Sequence, residues 1–189
     1  MAKIYLVTGG ARSGKSKFAE SICLSSKKKV GYIATSEIHD DEMKRRVEKH
    51  QERRPKEWKI WESPSGAVEI LKDAQENSEI LLFDCLTLYL TYWLFAPETP
   101  KNMGEREKFI LLKIDDLLKS FESWEGTVVF VTNEVGLGIV PENSVAREFR
   151  DLAGLMNERV AKAAAEVYWV VCGQALPVKK LVVLPEEVL

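Results

Sequence analysis

The sequence predicts an α/β domain with a mostly parallel sheet and helices on both faces. Three observations carry this. Short apolar runs recur along the chain at Ile4–Val7, Val30–Ala34, Ile80–Phe83, Thr127–Thr132 and Val167–Cys172. Segments with helical spacing of apolar residues alternate with them. The first run is followed at once by Gly9-Gly10-Ala11-Arg12-Ser13-Gly14-Lys15-Ser16, which fits the phosphate-loop pattern G-x-x-x-x-G-K-[ST] in its required setting between strand and helix. The predicted fold is therefore of the P-loop NTPase type, with residues 1–189 as a single nucleotide-binding domain.

Glycines at both ends of the loop let successive amides turn inward toward phosphate oxygens, and the helix that follows adds partial positive charge at the same place. Lys15 supplies a mobile charge for the outer phosphates and Ser16 a hydroxyl ligand for Mg²⁺. Behind the loop, Phe18, Ala19, Ile22 and Cys23 share one face of a helix running to about Ser25. The strand Val30–Ala34 follows. Ala34, Thr35 and Ser36 leave its carboxyl end, where open α/β sheets bind ligands, and are expected near the nucleotide.

Asp40 to Arg54 reads as a helix, with acids in its first turn, bases in its last and Pro55 beyond. Met43, Val47 and His50 form its sparse apolar stripe, so His50 should face the protein body. From spacing alone it is a packing residue or a functional one, and packing is the commoner use of such a histidine. Trp58–Glu62 reads as a short strand, and a helix beginning at Pro64-Ser65 carries Val68, Leu71 and Ala74 inward. Glu62 suits a structural place or a ribose contact equally.

Ile80-Leu81-Leu82-Phe83-Asp84 has the form of a strand whose terminal carboxylate stands beside the Mg²⁺ at a phosphate loop; apolar runs ending in Asp are common, but with a phosphate loop upstream Asp84 is the candidate metal ligand. Leu86–Phe95 is apolar nearly all round and must be covered by the chain's own core or by another subunit. Glu105 to about Trp124 is amphipathic. After the strand Thr127–Thr132, a glycine-containing loop places Asn133 and Glu134 at the ligand edge. Val145 to Ala163 traces a long helix, Val167–Cys172 the last core strand, and Lys179–Leu184 an added edge strand.

A hydrophobic fraction of 46%, 30% charged residues and a net charge of −2 describe a globular chain with no basic excess, which argues against nucleic acid as the main partner. Cys23, Cys85 and Cys172 have neither zinc nor disulfide spacing and read as buried thiols of a reducing compartment. The first strand begins too early to leave room for a signal peptide, and the most apolar window is too short for a bilayer. The expectation is a cytoplasmic protein without a membrane partner.

Taken together, Thr8–Ser16, Ile33–Ser36, Asp41-Glu42-Met43 with His50 and Arg54-Pro55, Asp84-Cys85-Leu86-Thr87, and Thr132–Glu142 resemble the bifunctional adenosylcobinamide kinase and adenosylcobinamide-phosphate guanylyltransferase family of cobalamin assembly. The matching stretches cover nearly the whole chain. The resemblance implies two reactions. ATP or GTP phosphorylates adenosylcobinamide, and GTP then gives its GMP unit to the resulting phosphate. It also implies that His50 is the guanylylated residue, that Gln51, Glu52, Arg53 and Arg54 contact the guanine nucleotide, that Glu62 and Asp84 lie near it, and that the subunits form a homotrimer. Tyr92 stands where the family pattern is expected to carry asparagine, and His39 matches no position of it. The alternative reading is a P-loop small-molecule kinase without guanylyltransferase activity.

Overall fold

The computed structural model describes residues 1–36, 45 and 55–183. The helix expected over Asp40–Arg54, with His50 and the four residues after it, lies outside the described residues apart from residue 45, which is helical. In chain order the structure runs β1 (Lys3–Thr8), α1 (Lys15–Ser25), β2 (Val30–Ala34), β3 (Lys59–Glu62), α2 (Val68–Glu76), β4 (Ile80–Asp84), α3 (Leu86–Phe95), α4 (Met103–Lys119), β5 (Thr127–Val131), α5 (Ser144–Ala163), β6 (Glu166–Val171) and β7 (Gln174–Pro177), with a 3₁₀ turn at Val178–Leu181.

The strands form one sheet in the order β3-β2-β4-β5-β1-β6-β7. All neighbours are parallel except β6 and β7. A parallel sheet is buried on both faces, which explains its continuous apolar runs. Alternate residues serve opposite layers. Leu6, Leu81, Phe83, Val128 and Phe130 pack with α2, α3, α4 and α5, while Val7, Ile80, Leu82, Val129 and Val131 pack with Ala19 and Cys23 of α1.

Helix starts are set by side chains as well as by periodicity. Asn102 Oδ1 accepts from the Glu105 amide at 3.2 Å and Asn143 Oδ1 from the Ala146 amide at 3.1 Å, each satisfying a first-turn donor that has no partner within the helix. The helix expected from Pro64-Ser65 begins at Val68, because Ser63 Oγ first accepts from the Ala67 amide at 2.9 Å.

Two expectations are corrected and one open alternative is resolved. Lys179–Leu184 is not an edge strand: residues 178–181 are a 3₁₀ turn and Leu181, Val182 and Val183 are exposed. The edge is taken earlier by β7, which a two-residue turn at Cys172-Gly173 folds back on β6. Both turn residues have positive φ, 50° and 77°, as a tight hairpin of this twist requires. That turn also exposes Cys172, so only Cys23 and Cys85 are buried thiols. Finally, α3 is covered by its own chain. Leu86, Thr87, Tyr89, Leu90, Trp93 and Leu94 are buried, with Phe95 exposed at its end. Trp93 meets the rings of Tyr89, Tyr92 and Phe109 edge-on at 5.2–6.2 Å, geometry that aromatic quadrupoles favour. Tyr92 thus serves in an aromatic cluster.

Candidate nucleotide site

The first eight residues lead straight into the site. Beyond β1, residues Gly9–Gly14 curl over its carboxyl end and α1 starts at Lys15. A Cβ at Gly9 would lie 2.4 Å from the Val170 carbonyl oxygen and 2.7 Å from Ser13 Oγ, and Gly14 caps α1 at φ 98°. Neither place tolerates a side chain, so the backbone there can come close to a ligand. Arg12 takes a left-handed turn at φ 57°, while Gly10, Ala11 and Arg12 are exposed. From behind, the Gly173 amide donates to Ser13 O at 2.8 Å.

Lys15 Nζ donates to Gly10 O at 3.2 Å, folding the ammonium over the loop. Its pKa is lowered, chiefly by burial, against the opposing pull of Cys85 and Asp84. That pull places Lys15 in the electrostatic reach of β4's terminal carboxylate. Asp84 Oδ2 accepts from the Tyr32 hydroxyl at 3.2 Å. Ala34, Asp84 and Glu62 share one row across β2, β4 and β3, with Glu62 exposed. Thr35 is buried. Its hydroxyl donates to Cys85 O at 2.8 Å and accepts from Cys85 N at 2.6 Å, tying the ends of β2 and β4 together. Ser36 and Ser16 are half-buried.

The structure therefore brings together the loop, Lys15, Ser16, Ala34, Thr35, Ser36 and Asp84, with Glu62 further along the same edge. His50, Gln51, Glu52, Arg53 and Arg54 lie outside the described residues.

Sequence reasoning missed a polar chain beneath this edge. Cys85 Sγ meets Thr87 Oγ1 at 3.0 Å, and Thr87 Oγ1 accepts from Asn133 Nδ2 at 2.7 Å. Asn157 Nδ2 donates to Asn133 O at 3.2 Å, and Asn157 Oδ1 accepts from the buried Thr132 hydroxyl at 2.7 Å. The chain spans β4, α3, β5 and α5. An asparagine among the apolar positions of the long α5 stripe was the available signal for its last member.

The residues fit a phosphate-bearing ligand. Thr8 Oγ1 and Ser13 Oγ are buried at the loop without a hydrogen-bond partner, and a helix N-terminus and a lysine converge there. For Mg²⁺, a hydroxyl and a single carboxylate suffice, since this ion is usually held by one or two protein ligands together with substrate phosphates and water. Ser16 and Asp84 meet that requirement.

A family profile described as cobinamide kinase / cobinamide phosphate guanyltransferase matches residues 5–178. The chain is 42% identical over 179 residues to the bifunctional adenosylcobalamin biosynthesis protein CobU of Escherichia coli strain K12, covering 92% of this chain and 98% of that one. The CobU protein of Salmonella typhimurium is 41% identical with the same coverage. CobP of Pseudomonas aeruginosa, also named a bifunctional adenosylcobalamin biosynthesis protein, is 38% identical over 174 residues, covering 92% and 96%. Among solved structures, a prototypical ATPase from the type III secretion system of pathogenic bacteria superposes with a TM-score of 0.59 at 14% identity, covering 98% of this chain and 60% of that one. The assembled ATPase EscN of enteropathogenic E. coli gives 0.54 at 14% identity, covering 99% and 50%. At these identities the likeness is one of fold, and the fold is that of the P-loop ATPases.

Proposed function

Since the chain belongs to the cobinamide kinase / cobinamide phosphate guanyltransferase family, we propose that it phosphorylates adenosylcobinamide with ATP or GTP and then transfers GMP from GTP to the new phosphate, giving adenosylcobinamide-GDP in cobalamin biosynthesis. The observation that carries the reading is the phosphate loop with Lys15 folded over it and Asp84 ending β4, two places from β1 in the same sheet, in a chain matching the family over almost its full length.

In the first reaction, the loop amides and Lys15 bind the outer phosphates and hold the γ-phosphoryl group for the acceptor hydroxyl. Ser16 and Asp84 would hold Mg²⁺, whose charge offsets that of the phosphates when it is bound. A phosphoryl group passing through a loose transition state needs mainly positioning and charge stabilisation, and these residues supply both.

The second reaction is assigned to His50, matched by sequence resemblance. A neutral imidazole presents a nitrogen lone pair at neutral pH. The nitrogen forms a bond to the α-phosphorus of GTP as the bond to pyrophosphate breaks. The substrate phosphate oxygen then bonds to the same phosphorus and the N–P bond breaks, releasing imidazole. Gln51, Glu52, Arg53 and Arg54 belong to the guanine nucleotide contact in this reading, and Glu62 to the nucleotide's sugar side.

Incubation with GTP labelled at the α-phosphate, followed by denaturing electrophoresis, tests this directly. The expected result is label on the protein that is acid-labile, base-stable and lost in His50→Ala, which keeps phosphorylation of adenosylcobinamide. Phosphorylation without any covalent label in the unmodified protein would leave the kinase-only alternative. Family resemblance also supports a homotrimer working in the cytoplasm. Among the described residues no helix is long and apolar enough to cross a membrane. Light scattering at micromolar concentration tests the assembly, and a monomer would refute it.

A further inference from the structure

Strand β5 lies between β1 and β4, with Val131 facing Val7 on one side and Asp84 on the other. The chain leaving β5 therefore passes between the phosphate loop and the carboxylate assigned to Mg²⁺. It is laid against the loop itself: the Thr132 amide donates to Val7 O at 2.9 Å and the Glu134 amide to Gly9 O at 3.1 Å. The polar chain through Thr132, Asn133 and Asn157 fixes the same segment from below.

The Glu134 side chain is half-buried and held in one orientation. Its Oε1 accepts from the Gly136 amide at 2.7 Å. A Cβ at residue 136 would come within 2.9 Å of that oxygen, so the glycine admits the carboxylate. One oxygen is thus committed to the loop, and Oε2 has no hydrogen-bond partner among the described residues. A carboxylate repels phosphates, so this one is ill suited to binding the nucleotide and well suited to the acceptor side of the site.

We infer that Glu134 is the general base of phosphoryl transfer, an inference that rests on the kinase reading above. As the acceptor hydroxyl oxygen bonds to the γ-phosphorus, its proton passes to Glu134 Oε2. The bond from that phosphorus to the β,γ-bridging oxygen breaks, the nucleoside diphosphate leaves with the electron pair, and the carboxylic acid then returns its proton to water. Next to this carboxylate the loop presents Leu137, Ile139 and Val140, 80%, 97% and 60% exposed, while Arg147 Nη1 donates to Pro141 O at 2.8 Å and Glu142 O at 2.6 Å. A base flanked by a held apolar loop suits an acceptor whose hydroxyl is carried on a large, partly apolar body, as in a corrinoid.

The test compares the unmodified protein with Glu134→Gln and Glu134→Asp, measuring nucleotide affinity and the rate of γ-phosphate transfer to adenosylcobinamide. An amide oxygen still accepts from Gly136 N–H, so the Gln variant keeps the loop and loses only the proton acceptor. The expected result is retained nucleotide affinity with kcat reduced about 10²-fold or more in Gln, and a higher kcat in Asp, which keeps an acid. A Gln variant at or above the rate of the Asp variant overturns the inference. No transfer by the unmodified protein is a different outcome, since it refutes the kinase reading itself.

Discussion

Asn157 on α5 accepts a hydrogen bond from the hydroxyl of Thr132 at the end of β5 across 2.7 Å, and its amide returns one to the carbonyl of Asn133. Helix and strand are therefore joined by directional bonds under the nucleotide edge. Removing a buried partner leaves the other group desolvated and unpaired, at a cost of about 1–3 kcal/mol. Asn157→Ala should lower the melting temperature by several degrees, with about 2–4 °C for each kcal/mol in a chain of this size. It should also weaken nucleotide binding, because Asn133 then keeps its bond to Thr87 but loses the one to Asn157. Calorimetry with and without GTP checks both effects, and an unchanged melting temperature would show that the bonds contribute nothing.

Lys15 separates stability from function. Burial lowers its pKa, so in the folded protein the charged form is held at a cost that is present below the folded pKa and relieved as pH rises through it. Lys15→Ala should leave the nucleotide-free melting temperature unchanged or raised at neutral pH. It should at the same time remove about 1.5–3 kcal/mol of charge-assisted phosphate binding and so shrink the GTP-induced stabilisation. Thermal shifts across a GTP titration measure both, and undiminished GTP stabilisation would contradict the role given to Lys15.

The three thiols should differ in reactivity. Burial pushes the Cys85 thiol up to about 11 and the Cys23 thiol up to about 12, while Cys172 is exposed on its turn. The thiolate is the reactive form. Iodoacetamide at neutral pH should add one alkyl group to the native protein and three after denaturation, as read by intact mass. Early labelling of Cys85 would show that the end of β4 is open to solvent.

Acid stability should report on the pairing of β3 with α2. Trp61 Nε1 donates to Asp73 Oδ2 at 2.5 Å and Lys59 Nζ at 3.2 Å, and these contacts lower the carboxyl pKa in that order. A carboxyl with a lowered folded pKa contributes stability above its unfolded value of about 3.9 and loses it as pH falls through the folded value. Asp73→Asn should therefore cost stability at neutral pH and flatten the fall between about pH 4 and the lower folded value. Denaturant melts at several pH values check the slope.

What could be read from the sequence was what local pattern encodes. The runs at Val30–Ala34 and Ile80–Asp84 became strands with those bounds, because burial on both faces leaves an uninterrupted apolar signature. The phosphate loop was legible because its glycines, lysine and serine act within eight consecutive residues. Thr87 was not, because its partners come from other elements, and Asn157 showed only as a polar residue among apolar positions, with nothing in spacing to announce which groups it bonds across the fold. The apolar run near Lys179–Leu184 misled for a related reason. A strand needs a free edge to join, and the turn at Cys172-Gly173 had already given that edge to Gln174–Pro177.

The bond from Gly173 N to Ser13 O, with the approach of Gly173 to within 3.2 Å of a Cβ at Gly14, has a consequence for the order of events during synthesis. The phosphate loop is translated well before the hairpin at its back. Long-range closure of this kind is slow and comes late in folding, and chains form structure from the amino end as they emerge. A nascent chain that has made α1 and most of the sheet thus holds the whole loop sequence without the support that shapes it. Nucleotide capture should begin only after β6 and β7 have left the ribosome and closed on the first strand, which keeps half-built molecules from sequestering GTP.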